Sequence, residues 1–358
     1  MRKVRLLALS ALLLCVHAPH SPSAATASTP LTPNLKVIGV EEAWARGLTG
    51  KGVVVALLDS GVDMSAPELA ARWCGGSNSW FDPYGEHPAS PIDLDGHGTQ
   101  MLGVILGGDE SGTPIGVAPD AQWIAARVFN DRGRATSEAI HQALKWVLDP
   151  DGDPATKDAP QVVNSSWSST GALCNPEFDA DLRALRAAGI LPVFAAGTGR
   201  PVSPADSPEA FAVGALAGDG ESLYFDTALG PSTCAGRTAI YTQLTAPGED
   251  IYTTDRFALY TTVSGTSLAA AQVSGALALL LSAKPTLTAD EQAALLKGTA
   301  VDLGESGPDN RFGYGRINIA AAIDRVLAPD LTLLMIGVLT AVLVGAATIL
   351  KRTHGSIS

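Results

Sequence analysis

The sequence predicts a doubly wound α/β fold, in which helices lie on both faces of a mostly parallel sheet. Continuous apolar runs rich in β-branched residues alternate with segments of helical periodicity through most of the 358 residues. Such runs are typical of strands buried on both faces, and strands that alternate with helices form parallel sheets. The length between the two apolar ends of the chain suits one large domain better than two small ones.

The individual elements follow one another from residue 53 onward. Four segments have the strand pattern: residues 53–58, 123–128, 161–166 and 190–196. Helical periodicity marks residues 137–148, 178–188, 264–282 and 323–327, and the apolar run 101–106 has the character of a buried helix. The second of these helices stops at Gly189, a residue typical of helix ends. Thr288 and Glu291 have the spacing of a capping box that begins one more helix.

A secretory signal peptide is predicted in residues 1–27. Three basic residues near the start precede a short apolar run, and Ala25-Thr26-Ala27 provides a small-residue cleavage site. This order is typical of a signal peptide. The apolar run is too short to span a bilayer, which requires about 20 residues. We therefore expect the chain to be exported.

A transmembrane helix is predicted near the other end, in residues 331–350. The segment carries no charge, and as a helix it would span roughly 30 Å, the thickness of the hydrocarbon core. Lys351 and Arg352 follow it. Since basic residues favour the cytoplasmic side, the tail 351–358 is expected inside the cell. The preceding domain would then be anchored in the cytoplasmic membrane and face outward, at a cell surface or in a periplasm.

The domain between these segments, residues 28–330 with a core at about 36–326, is acidic. The whole chain has 36 Asp and Glu against 24 Lys and Arg, a formal net charge of −12. Nucleic-acid binding requires a basic stripe or patch, so a nucleic-acid partner is not expected.

Three segments place reactive side chains where the fold favours chemistry. Asp59 follows the first predicted strand, at the edge where doubly wound sheets bind ligands. His97 lies between Gly96 and Gly98, just before the apolar run 101–106. Ser267 falls in the first turn of a predicted helix, where its N–H is unpaired and the helix dipole stabilises negative charge. Each also has a structural explanation, as a turn-capping Asp, a solvated His and a helix N-cap.

Together the three segments are more specific, because Asp, His and Ser in this order match the subtilisin arrangement. Residues 36–323 resemble a subtilase catalytic domain, a serine peptidase of family S8, almost end to end. Within the family, Asn164-Ser165-Ser166-Trp167 and Gly230-Pro231-Ser232 are most similar to the bacillopeptidase F type. Besides residues 52–63 and 95–99, the matching landmarks are Ile115-Gly116-Val117-Ala118-Pro119, Ala195-Ala196-Gly197, Ala246-Pro247-Gly248, Gly265-Thr266-Ser267 and Tyr314-Gly315-Arg316-Ile317-Asn318.

The resemblance implies a subtilisin-like fold and a serine endopeptidase that hydrolyses polypeptides without a cofactor for its chemistry. It makes Asp59, His97 and Ser267 the catalytic triad. It also assigns the oxyanion hole to the backbone N–H of Ser267 and to residue 198, where the family usually has Asn and this chain has Thr198. A Thr hydroxyl can donate a hydrogen bond, but from a shorter side chain.

The resemblance also implies that Ser166, Trp167 and Ser168 bind the substrate backbone and form a wall of the pocket beside the nucleophile. Ser168 replaces the Gly that is usual in the family, and its side chain could narrow that pocket. Together with Thr198, this departure leaves an alternative open: a catalytically impaired subtilase fold that acts as a binding or scaffold protein. The intact triad favours the active enzyme.

Two structural features are implied by the same resemblance. Cys174 and Cys234 correspond to cysteines that pair in relatives, which would leave Cys74 as a thiol; the alternative is that all three are reduced. The loop of residues 107–114 matches a calcium loop of the family in position. Asp109 and Glu110 offer the hard oxygen ligands that calcium prefers, although acidic loop residues are more often simply solvated.

Overall fold

The fold is given by a computed structural model that describes residues 30–168, 173–234 and 240–328. The predicted signal peptide, transmembrane helix and tail lie outside these residues and remain predictions. One described helix, Thr266–Ala283, is long and apolar enough to cross a membrane, but 83% of it is buried inside the protein. It is a helix of the core.

A parallel sheet forms the centre of the described residues. Its strands are β1 (Val54–Asp59), β2 (Trp80–Phe81), β3 (Gln122–Arg127), β4 (Val162–Ser165), β5 (Pro192–Ala195), β6 (Phe211–Leu216) and β7 (Leu244–Pro247). They lie in the order β2-β3-β1-β4-β5-β6-β7, and every pairing is parallel. An antiparallel hairpin of β8 (Ile251–Thr254) and β9 (Tyr260–Val263) lies apart from this sheet.

The strand order changes direction beside β1, which pairs with β3 on one side and β4 on the other. In open parallel sheets, ligands bind in the crevice at the carboxyl ends of the strands next to such a switch point. Asp59 is the last residue of β1, and Ser166 directly follows β4. Both residues therefore lie at the crevice.

Helices pack on both faces of the sheet, and each face has its own apolar cluster. The helices are α1 (Pro33–Ile38), α2 (Val40–Ala45), α3 (Pro67–Ala70), α4 (His97–Leu106), α5 (Ser137–Trp146), α6 (Asp179–Ala187), α7 (Thr266–Ala283), α8 (Ala289–Gly298) and α9 (Ile319–Leu327). The larger cluster includes side chains of α4, α7 and α9, and the other includes α5 and α6. Because α7 is apolar on nearly every side, it is stable only when enclosed.

The prediction of an α/β fold with a mostly parallel sheet and flanking helices is confirmed. All four predicted strands are present, each with ends within two residues of the predicted ones. The capping box at Thr288 is present with both of its hydrogen bonds. The elements that the sequence analysis did not identify are β2, β6, β7, the hairpin and the short helices α1 to α3.

Candidate active site

A buried carboxylate and a histidine are hydrogen-bonded at the end of β1. The Asp59 side chain is fully buried, and its Oδ1 lies 2.7 Å from Nδ1 of His97, the first residue of α4. The backbone N–H of Ser60 donates to the same oxygen at 2.7 Å. With Nδ1 engaged by the carboxylate, the second ring nitrogen of His97 is left to act on a bound molecule. About one third of the His97 side chain is exposed.

Asp93 holds the two chain segments around this pair together, a role that the sequence analysis missed. This buried carboxylate accepts hydrogen bonds from Ser60 Oγ and from the N–H groups of Asp95 and Gly96. It also accepts from the N–H and the hydroxyl of Thr99. The start of α4 is thereby fixed against the end of β1. Asp93 lies only four residues before His97, in an Asp-Leu-Asp-Gly-His stretch that could have indicated it.

Glycines at this junction are required by close backbone approach. A Cβ atom at Gly98 would lie 2.1 Å from the carbonyl oxygen of Gly61, and one at Gly61 would lie 1.8 Å from that of Ile92. A side chain at Gly98 would push α4 away from the end of β1, and one at Gly61 would displace the segment that precedes α4. The glycine that follows the histidine in the sequence therefore sets the distance between His97 and Asp59.

Ser267 lies at the second position of α7, near the carboxyl ends of β4 and β5. Its hydroxyl donates a hydrogen bond to the carbonyl oxygen of Ser166 at 3.0 Å. Among the residues that the structure describes, no hydrogen bond joins Ser267 Oγ to His97. The three candidate triad residues thus meet at one edge of the sheet, with the serine hydroxyl directed to β4. Nucleophile–base hydrogen bonds are often long or absent without substrate and form only in the complex.

A chain of buried hydrogen bonds holds Ser267 against β4. Ser274 Oγ donates to Asn164 Oδ1 at 2.9 Å, and Asn164 Nδ2 donates to Ser166 Oγ at 3.0 Å. Ser166 Oγ in turn donates to the carbonyl oxygen of Ser267 at 2.9 Å. All of these side chains except Ser267 are 2% exposed or less. Ser274 and Asn164 are therefore further residues of the site, and motif matching did not find them because they are 110 residues apart.

Two cavities lie on either side of the segment that runs from Ser166 to Ser168. The His97-side cavity, of about 460 Å³, is lined by Asp59, His97, Ser166, Trp167 and the loop of residues 129–133, among others. The Ser267-side cavity, of about 280 Å³, is lined by Ser267, Thr198, Ser166, Trp167 and Ser168, among others. Of the three predicted substrate-binding residues, Ser166 and Trp167 line both cavities, and Ser168 lines the Ser267-side cavity. Together the cavities form a cleft that an extended peptide could occupy.

Trp167 fixes the position of the Ser166–Ser168 segment through contacts with the buried core. It is 7% exposed, and its Nε1 donates to the carbonyl oxygen of Leu58 at 2.8 Å. Its ring meets Phe194 edge-on at a centroid distance of 5.5 Å. Ser168 is exposed in the cleft. The segment therefore presents a rigid backbone and one small hydroxyl side chain to a ligand.

Thr198 lines the Ser267-side cavity and is exposed. The preceding residue, Gly197, adopts a φ of +80° and donates its N–H to Thr266 Oγ1 at 3.1 Å. Because Thr266 precedes Ser267, this contact fixes the Thr198 turn beside the first turn of α7. Thr198 and the Ser267 N–H thus border one cavity, as a two-donor oxyanion hole would require.

The electrostatics of the cleft favour a charged His97. Burial lowers its pKa, but the Asp59 carboxylate outweighs burial by its charge and its hydrogen bond, and Asp95 and Asp93 add to the effect. The net result raises the pKa of His97 to about 9. A proton on the imidazole is thus stabilised, as it would be after His97 accepts one from a nucleophile.

Cys174 and Cys234 form a disulfide bond in the structure, across a sequence separation of 60 residues. The buried carboxylate of Asp206 accepts the N–H of Cys174 at 2.6 Å.

Arg72 packs against the loop of residues 107–114, which the resemblance matches in position to a calcium loop. The guanidinium of Arg72 extends into it, pairs with Glu110 at 3.3 Å and donates to the carbonyl oxygens of Glu68 and Pro119. A Cβ atom at Gly108 would lie 2.4 Å from Arg72 Nη2, so the guanidinium packs directly on the loop. The N–H groups of Ile115 and Gly112 donate to the carbonyl oxygens of Gly108 and Asp109, respectively.

Comparisons with known proteins bear on the family. The sequence model of the Subtilase family, Peptidase_S8, matches residues 50–315. Bacillopeptidase F of Bacillus subtilis is 36% identical over 82% of this chain, and the chain spans only 22% of that relative. Subtilisin-like protease PopC of Myxococcus xanthus is 32% identical over 75% of this chain, which spans 60% of PopC. Subtilisin DY of Bacillus licheniformis is 30% identical over 80% of this chain and 97% of its own length.

The chain belongs to the subtilase family of serine peptidases, as the sequence analysis predicted. The similarity to the bacillopeptidase F type is likewise confirmed.

Proposed function

We propose that this subtilase is a serine endopeptidase that cleaves extracytoplasmic polypeptides through the triad Asp59, His97 and Ser267. The observation that carries the proposal is the 2.7 Å contact between Asp59 Oδ1 and His97 Nδ1 at the sheet edge where Ser267 begins α7. Family membership and the cleft beside these residues support it.

The first chemical step forms an acyl-enzyme. His97 accepts the proton of Ser267 Oγ through its second ring nitrogen while Oγ attacks the scissile carbonyl carbon. Asp59 keeps the imidazole in the required tautomer and stabilises its positive charge. His97 then gives the proton to the leaving amine, and the amide bond breaks. A water molecule repeats the sequence on the ester, which releases the acid product and regenerates Ser267.

The oxyanion that forms at the attacked carbonyl requires hydrogen-bond donors that are already in position. We assign this role to the backbone N–H of Ser267 and to the hydroxyl of Thr198. In subtilisin, loss of the Asn donor lowers kcat by about 10²–10³-fold. We expect Thr198 to supply part of that stabilisation, because its hydroxyl is a donor but its side chain is shorter.

The location of the activity is part of the proposal. The predicted signal peptide of residues 1–27 and the predicted anchor of residues 331–350 would place the catalytic domain outside the cytoplasmic membrane. Its substrates would then be extracytoplasmic polypeptides. Fractionation of cells that express the full chain tests this arrangement: we expect the protein in the membrane fraction and degraded by protease added to intact cells or spheroplasts. Resistance of the domain to added protease would contradict it.

The fold is proposed to need no calcium at the loop of residues 107–114, because Arg72 already provides a positive charge there. We expect a chelator to leave the melting temperature of the chain unchanged, as measured by circular dichroism. Arg72→Met should lower that temperature. A melting temperature that falls with chelator and recovers with added calcium would contradict the assignment.

A second candidate function is a subtilase fold with little catalysis that acts as a binding or scaffold protein. Thr198, Ser168 and the hydrogen bond from Ser267 Oγ to Ser166 favour it. Hydrolysis of denatured casein and of peptide libraries separates the two functions. The endopeptidase proposal predicts internal cleavage by the purified chain and none by Ser267→Ala. If neither protein cleaves these substrates and their circular dichroism spectra match, the result would favour the scaffold function.

A further inference from the structure

The Ser267-side cavity has one unusual lining residue. Its lining is apolar, hydroxylic or glycine except for a single charged side chain, Asp226. The cavity opens beside the proposed nucleophile, on the far side of the Ser166–Ser168 segment from His97. A peptide bound for attack by Ser267 would place the side chain immediately N-terminal to its scissile bond in this cavity.

The two long walls of the cavity approach each other closely. One wall is the segment that ends at Ser168, and the other is the turn that begins at Gly197. A Cβ atom built at Gly197 would lie 3.5 Å from Ser168 Oγ. Ser168 and Gly197 thus lie close together at one edge of this cavity, which has a volume of about 280 Å³.

The turn that contains Asp226 is fixed against the Thr198 segment by backbone hydrogen bonds. Ala228 N donates to the carbonyl oxygen of Gly197 at 2.9 Å, and Gly199 N donates to that of Asp226 at 3.4 Å. The turn itself closes through Thr227 N, which donates to the carbonyl oxygen of Tyr224 at 3.0 Å. Thr227 is buried and accepts the N–H of Ala215 through its hydroxyl at 3.0 Å. The backbone at Asp226 is therefore held against the Thr198 segment.

The carboxylate of Asp226 has no counter-charge within the structure's described part. It is exposed, and it makes neither an ion pair nor a side-chain hydrogen bond there. Arg200 follows Gly199, whose N–H donates to the backbone of Asp226, but among the described residues the two side chains form no ion pair. The carboxylate is therefore available to a ligand. The overall net charge of −12 adds to the negative potential that a cationic ligand meets.

We propose that Asp226 selects substrates with a lysine or arginine immediately N-terminal to the scissile bond. The aliphatic part of such a side chain occupies the Ser267-side cavity, and its cationic end pairs with the carboxylate that lines it. A carboxylate in the corresponding pocket of trypsin selects the same class of side chain by the same physics. The assignment names the substrate class of the proposed endopeptidase and rests on that function.

The test compares matched peptides that differ only at this position, with Lys or Leu, in the full chain and in Asp226→Asn. We expect kcat/KM to favour the Lys peptide by about tenfold, the size of effect that an ion pair gives in a partly exposed site. Asp226→Asn should remove that preference, and Asp226→Glu should keep much of it. Glu41→Gln, which removes an exposed carboxylate on α2, is the control for net charge and should keep the preference unchanged.

A preference for Leu in the wild-type chain, or an equal Lys preference in Asp226→Asn, would overturn the assignment. Binding of both peptides to Ser267→Ala is then measured by fluorescence anisotropy. This measurement separates failure of the Asp226 assignment from failure of the proposed endopeptidase function. Tighter binding of the Lys peptide that is lost in the double variant with Asp226→Asn supports the assignment even if the chain hydrolyses neither peptide. Equal affinity for both peptides contradicts it even if the chain is an active peptidase.

Discussion

The two halves of the candidate active site differ in how firmly the fold holds them. Asp59 and His97 are joined at 2.7 Å, and Asp93 fixes the chain around them through five hydrogen bonds. On the other side, the Ser267 hydroxyl is bonded to Ser166, and Thr198 stands where the family usually has Asn. The acid–base half is preorganised, whereas the nucleophile half must change its hydrogen bonding on substrate binding. Differences in activity within this architecture should therefore arise mainly on the Ser267 side.

The acid–base half can be broken by a single atom change. Asp59→Asn keeps the size of the side chain but favours the wrong tautomer of His97. We expect kcat to fall by about 10⁴-fold, the effect of the same change in other serine peptidases. The measurement is hydrolysis of a fluorogenic peptide, with circular dichroism as the control for folding. A fall of less than tenfold would show that the Asp59–His97 contact does not orient the base.

Asp93 tests whether this half is preorganised by the fold. Asp93→Ala removes the acceptor for Ser60, Asp95, Gly96 and Thr99 and leaves their buried donors unpaired. We expect a loss of about 3 kcal/mol or more in the free energy of unfolding, measured by urea denaturation.

The matched control is Asp95→Ala, two residues away. The Asp95 carboxylate is exposed and accepts the N–H of His97 at 3.2 Å, so its loss should cost less than about 1 kcal/mol. Equal losses for the two variants would contradict the role assigned to Asp93.

Substitutions of Thr198 test the Ser267 side of the site, and here one substitution is expected to raise kcat. Thr198→Asn supplies a longer donor to the oxyanion, and we expect kcat to rise by roughly tenfold, part of the 10²–10³-fold effect of a full donor. Thr198→Val, which removes the hydroxyl at nearly constant size, should lower kcat. If neither variant changes kcat, Thr198 does not contribute to the oxyanion hole.

The pH dependence of kcat/KM tests the electrostatics around His97. A general base must be neutral, so activity should rise with pH and level off near the raised pKa of about 9. Since the folded-state pKa lies above the unfolded value of 6.5, protonated His97 stabilises the fold at low pH, and that contribution is lost as pH rises through about 9.

Asp95→Asn removes one of the negative charges that raise the pKa of His97. The acid limb of the profile should therefore move to lower pH by a fraction of a unit. An unchanged profile, or a shift to higher pH, would contradict this account of the shift. Glu41→Gln again provides a distant charge control.

The sequence predicted the parts of the molecule that depend on local pattern. β1 and the helix that begins at His97 follow from an apolar run and from the glycines on either side of the histidine. β6 was missed although Phe211–Leu216 is apolar, because its place in the sheet is set by pairing with β5 and β7. The β8–β9 hairpin was missed because its loop contains no glycine. Phe257, at a φ of +61°, adopts the positive φ that glycine usually provides in such a loop.

The same division applies to the site. Asp59, His97 and Ser267 carry motifs that can be read in a single sequence. The hydrogen bonds that position Ser267 cannot be read in this way, since Ser274 and Asn164 meet only when α7 packs against β4. The contact of Arg72 with the loop of residues 107–114 was missed for the same reason: residue 72 is remote in sequence, and the loop alone resembles a calcium site.

Labelling of the purified chain by a fluorophosphonate probe tests the central claim most directly, because the probe reacts only with a serine that the site activates. The account predicts labelling of the wild-type chain, none of Ser267→Ala and faster labelling of Thr198→Asn. A folded wild-type chain and a folded Thr198→Asn variant that both fail to react would contradict the claim that Asp59, His97 and Ser267 form a working triad.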